Sequence, residues 1–179
     1  MLGGASFLGF YYSLQRGAEL AQRNAQEWLN QAIIARRAAP PGPARPRVSR
    51  GDVLGKLTIP RLNLSVMVFE GDDAAILRQG AGHIPGTTLP QENGNFGVAA
   101  HRDTYFRPLR LIRPNDLIEF TALEGVSHYS VTDTRIVRPS DIQVLEKAPG
   151  RNLTLVTCYP FYYLGSAPKR WIVHAKRID

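Results

Sequence analysis

Cys158 is the sole thiol of the chain and stands where a strand-like run ends. Leu153-Thr154-Leu155-Val156-Thr157 precedes it and Tyr159-Pro160 follows. A residue at a strand end is held rigidly yet opens onto a loop-lined surface, a placement that suits a nucleophile. A lone cysteine is more commonly a small buried hydrophobe, so the thiol needs partners before it implies chemistry. Attack of a thiol on an amide requires a group that moves protons and a donor for the oxyanion. Four histidines are available. His128 and His174 fall inside strand-like runs, and His83 follows Gly80-Ala81-Gly82 in a loop. His101 closes the run Phe96-Gly97-Val98-Ala99-Ala100 and opens the polar turn Arg102-Asp103-Thr104, which makes it the best partner for Cys158. Arg170 starts the last strand-like run, twelve residues after Cys158. If the two runs are neighbours, the 161–169 loop returns a guanidinium with several N–H donors towards the thiol. Without that company Arg170 reads as a surface ion pair.

The elements that must position these groups are mostly strands. Short β-type runs, divided by Gly, Pro, Asn and Asp, occupy 53–59, 64–69, 95–100, 116–121, 127–137, 152–157 and 171–178. A short helix is predicted over 73–79, capped by Asp72 or Asp73 and stopped by Gly80. Many short strands at this spacing suggest a closed barrel or a sandwich. There is no strand–helix alternation of dinucleotide-binding type, no P-loop and no internal repeat.

Composition narrows the class further. The chain has 179 residues, 44% of them hydrophobic, which suits one domain with a real core. A single cysteine excludes a disulfide framework. The net charge of +7 is uneven: residues 1–50 hold seven Arg against Glu19 and Glu27, and the rest is close to neutral. That pattern argues against nucleic-acid binding and for a basic segment beside an anionic membrane. Residues 1–14 carry no charge and are rich in apolar and aromatic groups. The stretch is shorter than the ~20 residues a spanning helix needs, and residues 1–15 are expected to be the remnant of a membrane anchor. Residues 18–37 have helical composition, and Pro40, Pro41, Pro43 and Pro46 end the helix as a semi-rigid spacer. Residues 16–51 thus read as a stalk and linker, and 52–179 as the folded domain.

Taken together, these residues resemble a known family. Thr154-Leu155-Val156-Thr157-Cys158 resembles the TLxTC signature of the sortases, and the likeness continues through Tyr159-Pro160-Phe161 and Lys169-Arg170-Trp171-Ile172-Val173. Ala99-Ala100-His101-Arg102-Asp103 is similar to the sortase histidine motif, with Ala-His where many sortases have Gly-His. Ile59-Pro60-Arg61 and Gly80-Ala81-Gly82-His83 fit upstream segments, and the chain looks most like class D. The resemblance covers about 52–179. It implies a mostly β fold: a closed eight-stranded barrel with short helices and an N-terminal helical segment. It also implies a membrane-anchored cysteine transpeptidase, single-pass, with its catalytic domain outside the cytoplasm. Cys158 would be the nucleophile, His101 the acid or base, and Arg170 the residue that positions substrate and stabilises the oxyanion. The partners implied are an LPxTG-like sorting-signal peptide and an amine acceptor, either a cell-wall precursor or a pilin.

The substrate groove is expected over the barrel face that carries Cys158 and Arg170, walled by the 138–150 and 160–169 loops. Ile142, Val144 and Leu145, with Thr157 and Tyr159 flanking the thiol, are the expected substrate contacts. No metal or other cofactor is expected, since Asp141 and Glu146 are the only carboxylates of the 138–150 loop and calcium takes ~6–8 oxygen ligands. Three rivals stand beside this reading. A cysteine hydrolase would use the same pair with water as acceptor. An L,D-transpeptidase would carry a histidine just before the cysteine, where this chain has Thr157. A membrane-tethered β-barrel interaction module would leave Cys158 buried and inert.

Overall fold

The computed structural model describes residues 3–38, 48–163 and 165–179, with side chains described from residue 15 onward. The expected anchor side chains (1–14), residues 39–47 of the expected linker and Leu164 lie outside the described residues. Ten elements make the fold: α1 (Gly3–Ala38), β1 (Val53–Ile59), β2 (Leu64–Glu70), α2 (Ala74–Gln79), β3 (Ala81–His83), β4 (Gly94–Ala99), β5 (Leu117–Ala122), β6 (Gly125–Val137), β7 (Arg151–Tyr159) and β8 (Lys169–Arg177). The strands close into one barrel in the order β1-β2-β3-β4-β7-β8-β6-β5. Closure gives every strand a neighbour on both sides. A barrel of eight strands has an interior just wide enough for side chains to fill. Here Phe96 of β4 meets Phe120 of β5 edge to face across the interior, with ring centres 5.0 Å apart.

Seven of the eight strands follow the β-type runs of the sequence. The eighth, β3, is only Ala81-Gly82-His83, and it corrects the reading of His83 as a loop residue. β3 pairs parallel with β2 and antiparallel with β4, and all three of its residues are buried. A Cβ on Gly82 would lie 2.1 Å from the Gly71 carbonyl oxygen, so only glycine allows the chain to pass this close. His83 is 3% exposed, with Nδ1 2.7 Å from Glu70 Oε2 and Nε2 2.9 Å from Thr87 Oγ1.

β2 is buried on both faces, which is why Leu64-Ser65-Val66-Met67-Val68-Phe69 lacks a clean alternation. Val66 and Val68 point into the barrel, whereas Met67 and Phe69 join Ala25, Leu29 and Ile76 in a second small core under α1. β3 is too short to pair with Met67, and α1 supplies the missing partner. Gln22 Oε1 accepts from the Met67 N–H (2.8 Å), and Gln22 Nε2 donates to the Gln79 carbonyl (2.6 Å). The part of the expected stalk that is described, 16–38, therefore lies against the barrel. Asp73 is the cap of α2, accepting from Ala75 and Ile76 N–H, and the bidentate Arg50 guanidinium holds its carboxyl well below the usual range.

The Arg61–Asp116 pair ties the β1–β2 turn to the approach of β5. Arg61 donates to both Asp116 oxygens and to the Leu111 carbonyl, and the Arg113 N–H adds a bond to Asp116. Arg61 and that N–H hold the Asp116 carboxyl below its ordinary range, against burial. A lowered folded pKa adds stability above the unfolded carboxylate pKa of ~3.9, and the gain is lost as pH falls through the folded value. Arg61→Ala should cost about 1–3 kcal/mol at pH 7, because it leaves a buried carboxylate short of donors. Urea unfolding of both proteins at pH 7 and below pH 3 should show the gap closing in acid; an equal gap at both pH values would remove the ion pair as its cause.

Candidate active site

Strand register brings the three predicted groups together. β7 pairs antiparallel with β8, and Cys158 sits directly opposite Arg170. On its other side β7 pairs parallel with β4, with Ala99 level with Val156. The pairing runs on past β4, as the Ala100 N–H donates to the Val156 carbonyl at 3.3 Å. The same register carried one residue further sets His101 beside Cys158. β4, β7 and β8 thus bring the His101 segment, Cys158 and Arg170 to one end of the sheet.

Side-chain direction follows from alternation. Leu153, Leu155, Val173 and Ala175 fill the barrel, so Cys158, Val156, Thr154 and Arg170, Ile172, His174 face outward. Cys158 is a free thiol, partly exposed, as are His101 and Arg170. Among the described residues no hydrogen bond joins Cys158 to either partner. Arg170 Nη1 donates to the Ala167 and Lys169 carbonyls at 3.2 and 3.0 Å, which pins the guanidinium to its own loop, and among the described residues Nε and Nη2 have no hydrogen-bond partner.

The two residues flanking the thiol point the other way. Thr157 is 2% exposed and donates its hydroxyl to the Ala100 carbonyl at 2.7 Å, a buried bond that locks the residue before His101 to the residue before Cys158. Tyr159 stacks on Trp171 (6.0 Å) and meets Phe161 edge to face (6.1 Å), in an aromatic cluster on the opposite side of the strand. The structure therefore gives Thr157 and Tyr159 positioning contacts with the protein, and neither side chain shares the outward face of Cys158.

The 138–150 loop folds over that outward face. Its single helical turn, Ile142–Leu145, brings Leu145 Cδ2 to 3.2 Å, and Thr87 Cγ2 comes to 3.0 Å, from where a Cβ on Gly97 would lie. Leu145 and Thr87 thus meet above Gly97 of β4, and Val144 is half-buried beside them. Ile142 is 71% exposed at the rim. Asn95, buried on the same face, donates from Nδ2 to the Val144 and Glu146 carbonyls at 3.3 and 3.4 Å. Its Oδ1 accepts from Thr154 Oγ1 (2.8 Å), which lies 3.2 Å from His174 Nδ1. Asn152 Nδ2 bonds the Ala148 and Pro149 carbonyls further along the loop. Burial pushes the His174 pKa down, which favours the neutral ring, opposed by the Asp133 carboxylate and helped by Arg135. Sequence reasoning missed Asn95, Gly97 and Thr87. The available signal was a polar Asn and a small Gly on the outward positions of an otherwise apolar run.

A closed β-barrel that presents a cysteine between a histidine and an arginine at one end of its sheet defines a class of site. The sortase domain family matches residues 57–178, and the chain belongs to the sortase family. It is 36% identical to Sortase D of Bacillus subtilis over 129 residues, 72% of this chain. It is 30% identical to Sortase A of Listeria monocytogenes over 114 residues, 59% of this chain. The chain spans 65% and 49% of the length of these two relatives. Among solved structures, the SrtA sortase of Actinomyces oris is 31% identical with a TM-score of 0.69, over 76% of this chain and 86% of that one. A Clostridium perfringens Sortase D5 transpeptidase, 24% identical, shares the fold with a TM-score of 0.74 over 92% of this chain and 99% of that one.

Asn95→Ala should free the Val144–Glu146 backbone from β4 while leaving His101, Cys158 and Arg170 in place. The expected outcome is a several-fold rise in KM for a peptide substrate, with Cys158 alkylation by iodoacetamide unchanged. An unchanged KM would show that the loop holds its place without Asn95.

Proposed function

We propose that the protein is a sortase-type cysteine transpeptidase that cleaves an LPxTG-like sorting signal and joins the released acyl group to an amine. The observation that carries this reading is the strand register that lines up His101, Cys158 and Arg170. The Cys158 sulfur attacks the scissile carbonyl carbon and forms a tetrahedral oxyanion, towards which the Arg170 fork donates. His101 gives a proton to the departing nitrogen, the C–N bond breaks, and a thioester remains on Cys158. An incoming amine bonds the thioester carbon, His101 takes its proton, and the C–S bond breaks to regenerate the Cys158 thiolate beside a protonated His101. Water as acceptor would make the same machinery a hydrolase, and the product formed with added amine separates the two.

Residues 1–15 fit the remnant of a membrane anchor, 16–51 a helical stalk and linker, and 52–179 the catalytic barrel, displayed outside the cytoplasm. The uncharged N-terminal stretch beside an arginine-rich segment supports that topology. Among the described residues no helix is long and apolar enough to cross a membrane. Val144 and Leu145 supply apolar surface suited to a Leu-Pro pair, with Ile142 exposed at the rim. The acceptor is a cell-wall precursor or a pilin amine.

Cys158→Ala should abolish thioacyl formation, detected by mass spectrometry after peptide incubation, while keeping the fold; continued cleavage would remove Cys158 from the mechanism. His101→Ala should nearly abolish turnover. Arg170→Ala and Arg170→Lys should both lower kcat/KM by roughly 10²–10³, since lysine keeps the charge but loses the planar fork. Near-normal turnover in Arg170→Ala would return that residue to the surface.

A further inference from the structure

The proposed reaction has an acyl side and an amine side. The acyl side lies over the outward face of β4, β7 and β8, under the 142–145 turn. The amine side must adjoin His101, because one imidazole serves both the departing and the arriving nitrogen. On that side His101 lines a cleft of about 1040 Å³. The opposite wall is α1, through Ala18, Glu19 and Arg23, and the end of α2 contributes Leu77 and Arg78. The turn after His101 adds Asp103 and Tyr105, and no residue of β7 or β8 lines the cleft.

The walls are fixed rather than loose. Gln22 pins α1 to β2 and to Gln79. The Tyr105 hydroxyl donates to the same Gln79 carbonyl at 3.0 Å. Burial, then the nearby Glu19 charge, pushes the Tyr105 pKa up, so the Glu19 carboxylate acts on this wall. The lining carries both signs: carboxylates at Glu19 and Asp103, guanidiniums at Arg23 and Arg78. All four side chains are exposed, and among the described residues none is in an ion pair. A mixed cleft that opens onto a proton-transfer group suits a ligand with one cationic and one anionic end.

We propose that this cleft is the acceptor site, and that it takes an aliphatic primary amine whose carrier also bears a carboxylate. The proposal rests on the thioacyl reading above. Glu19 and Asp103 draw the ammonium towards His101, and Arg23 and Arg78 meet the carboxylate. The arriving ammonium sheds one proton to water, and its nitrogen bonds the thioester carbon. A second proton passes to His101 as the C–S bond breaks and the Cys158 thiolate leaves. The N-terminal helix is thereby a wall of the second substrate's site.

The test uses the full chain and a Leu-Pro-Ala-Thr methyl ester as donor, because methanol leaves without needing the cleft. Two acceptors carry the same amine with and without a carboxylate: Nα-acetyl-lysine and N-acetylcadaverine. Methanol release reads acylation, and the ratio of amide to acid product reads acceptor use. The wild type should show a KM at least fivefold lower for Nα-acetyl-lysine, and Arg78→Ala should erase that preference. Ala18→Trp, which fills the cleft, and Glu19→Lys, an exposed change that leaves packing intact, should each lower the amide-to-acid ratio at least tenfold. Acylation should stay within twofold in both. Normal acylation with an unaltered ratio in both variants overturns the site, and equal KM values for the two acceptors overturn its carboxylate half. Absence of any thioacyl on wild-type Cys158 would instead defeat the transpeptidase reading itself.

Discussion

The pairing of β7 with β4 on one side and β8 on the other is the constraint on which the rest of the site depends. Cys158 owes its neighbours to register alone. The antiparallel ladder sets Arg170 opposite it, and the parallel ladder, extended through Ala100, brings His101 level. The buried Thr157–Ala100 bond fastens the two strand ends at the point where the ladder would otherwise fray. A slip of one residue in either pairing would turn the cysteine or its partner to the other face. Barrel closure guards against such slippage, because each strand is held by a neighbour on both sides.

The same alternation divides labour along β7. Inward residues supply the core, outward residues supply the site, and the residues nearest the thiol are split between them. Thr157 and Tyr159 serve Cys158 from behind, by holding the strand end and stacking in the aromatic cluster. The loop over the outward face cannot be held by a ladder, so amide side chains hold it. Asn95 and Asn152 reach up from the sheet to loop carbonyls, and Thr154 and His174 keep Asn95 oriented. Buried polar groups of this kind are costly unless fully bonded, and here they are bonded to what they position.

The N-terminal helix extends the same economy. β3 is too short to complete the β2 edge, and α1 finishes it with one glutamine and a small apolar core. A segment that composition alone reads as a stalk therefore becomes part of the wall around His101.

Much of the fold was legible in one dimension. Short β-type runs bounded by turn residues placed seven strands, because Gly, Pro, Asn and Asp interrupt a ladder where the chain must turn. The motifs around Cys158, His101 and Arg170 marked the candidate groups, since a nucleophile, a proton carrier and an oxyanion donor call for distinct residue types. β3 was not legible, for three residues without a β-branched side chain carry no periodic signal, and its existence depends on the room left by Gly82 beside Gly71. Nor could any local pattern reveal that Asn95 holds a loop 49 residues away, or that α1 lies beside His101. The sequence by itself determined which residue types stand ready as candidate nucleophile, proton carrier and oxyanion donor. Only the tertiary structure decided which face Thr157 and Tyr159 present, what anchors the loop and what walls the cleft, because these depend on contacts between segments far apart in the chain.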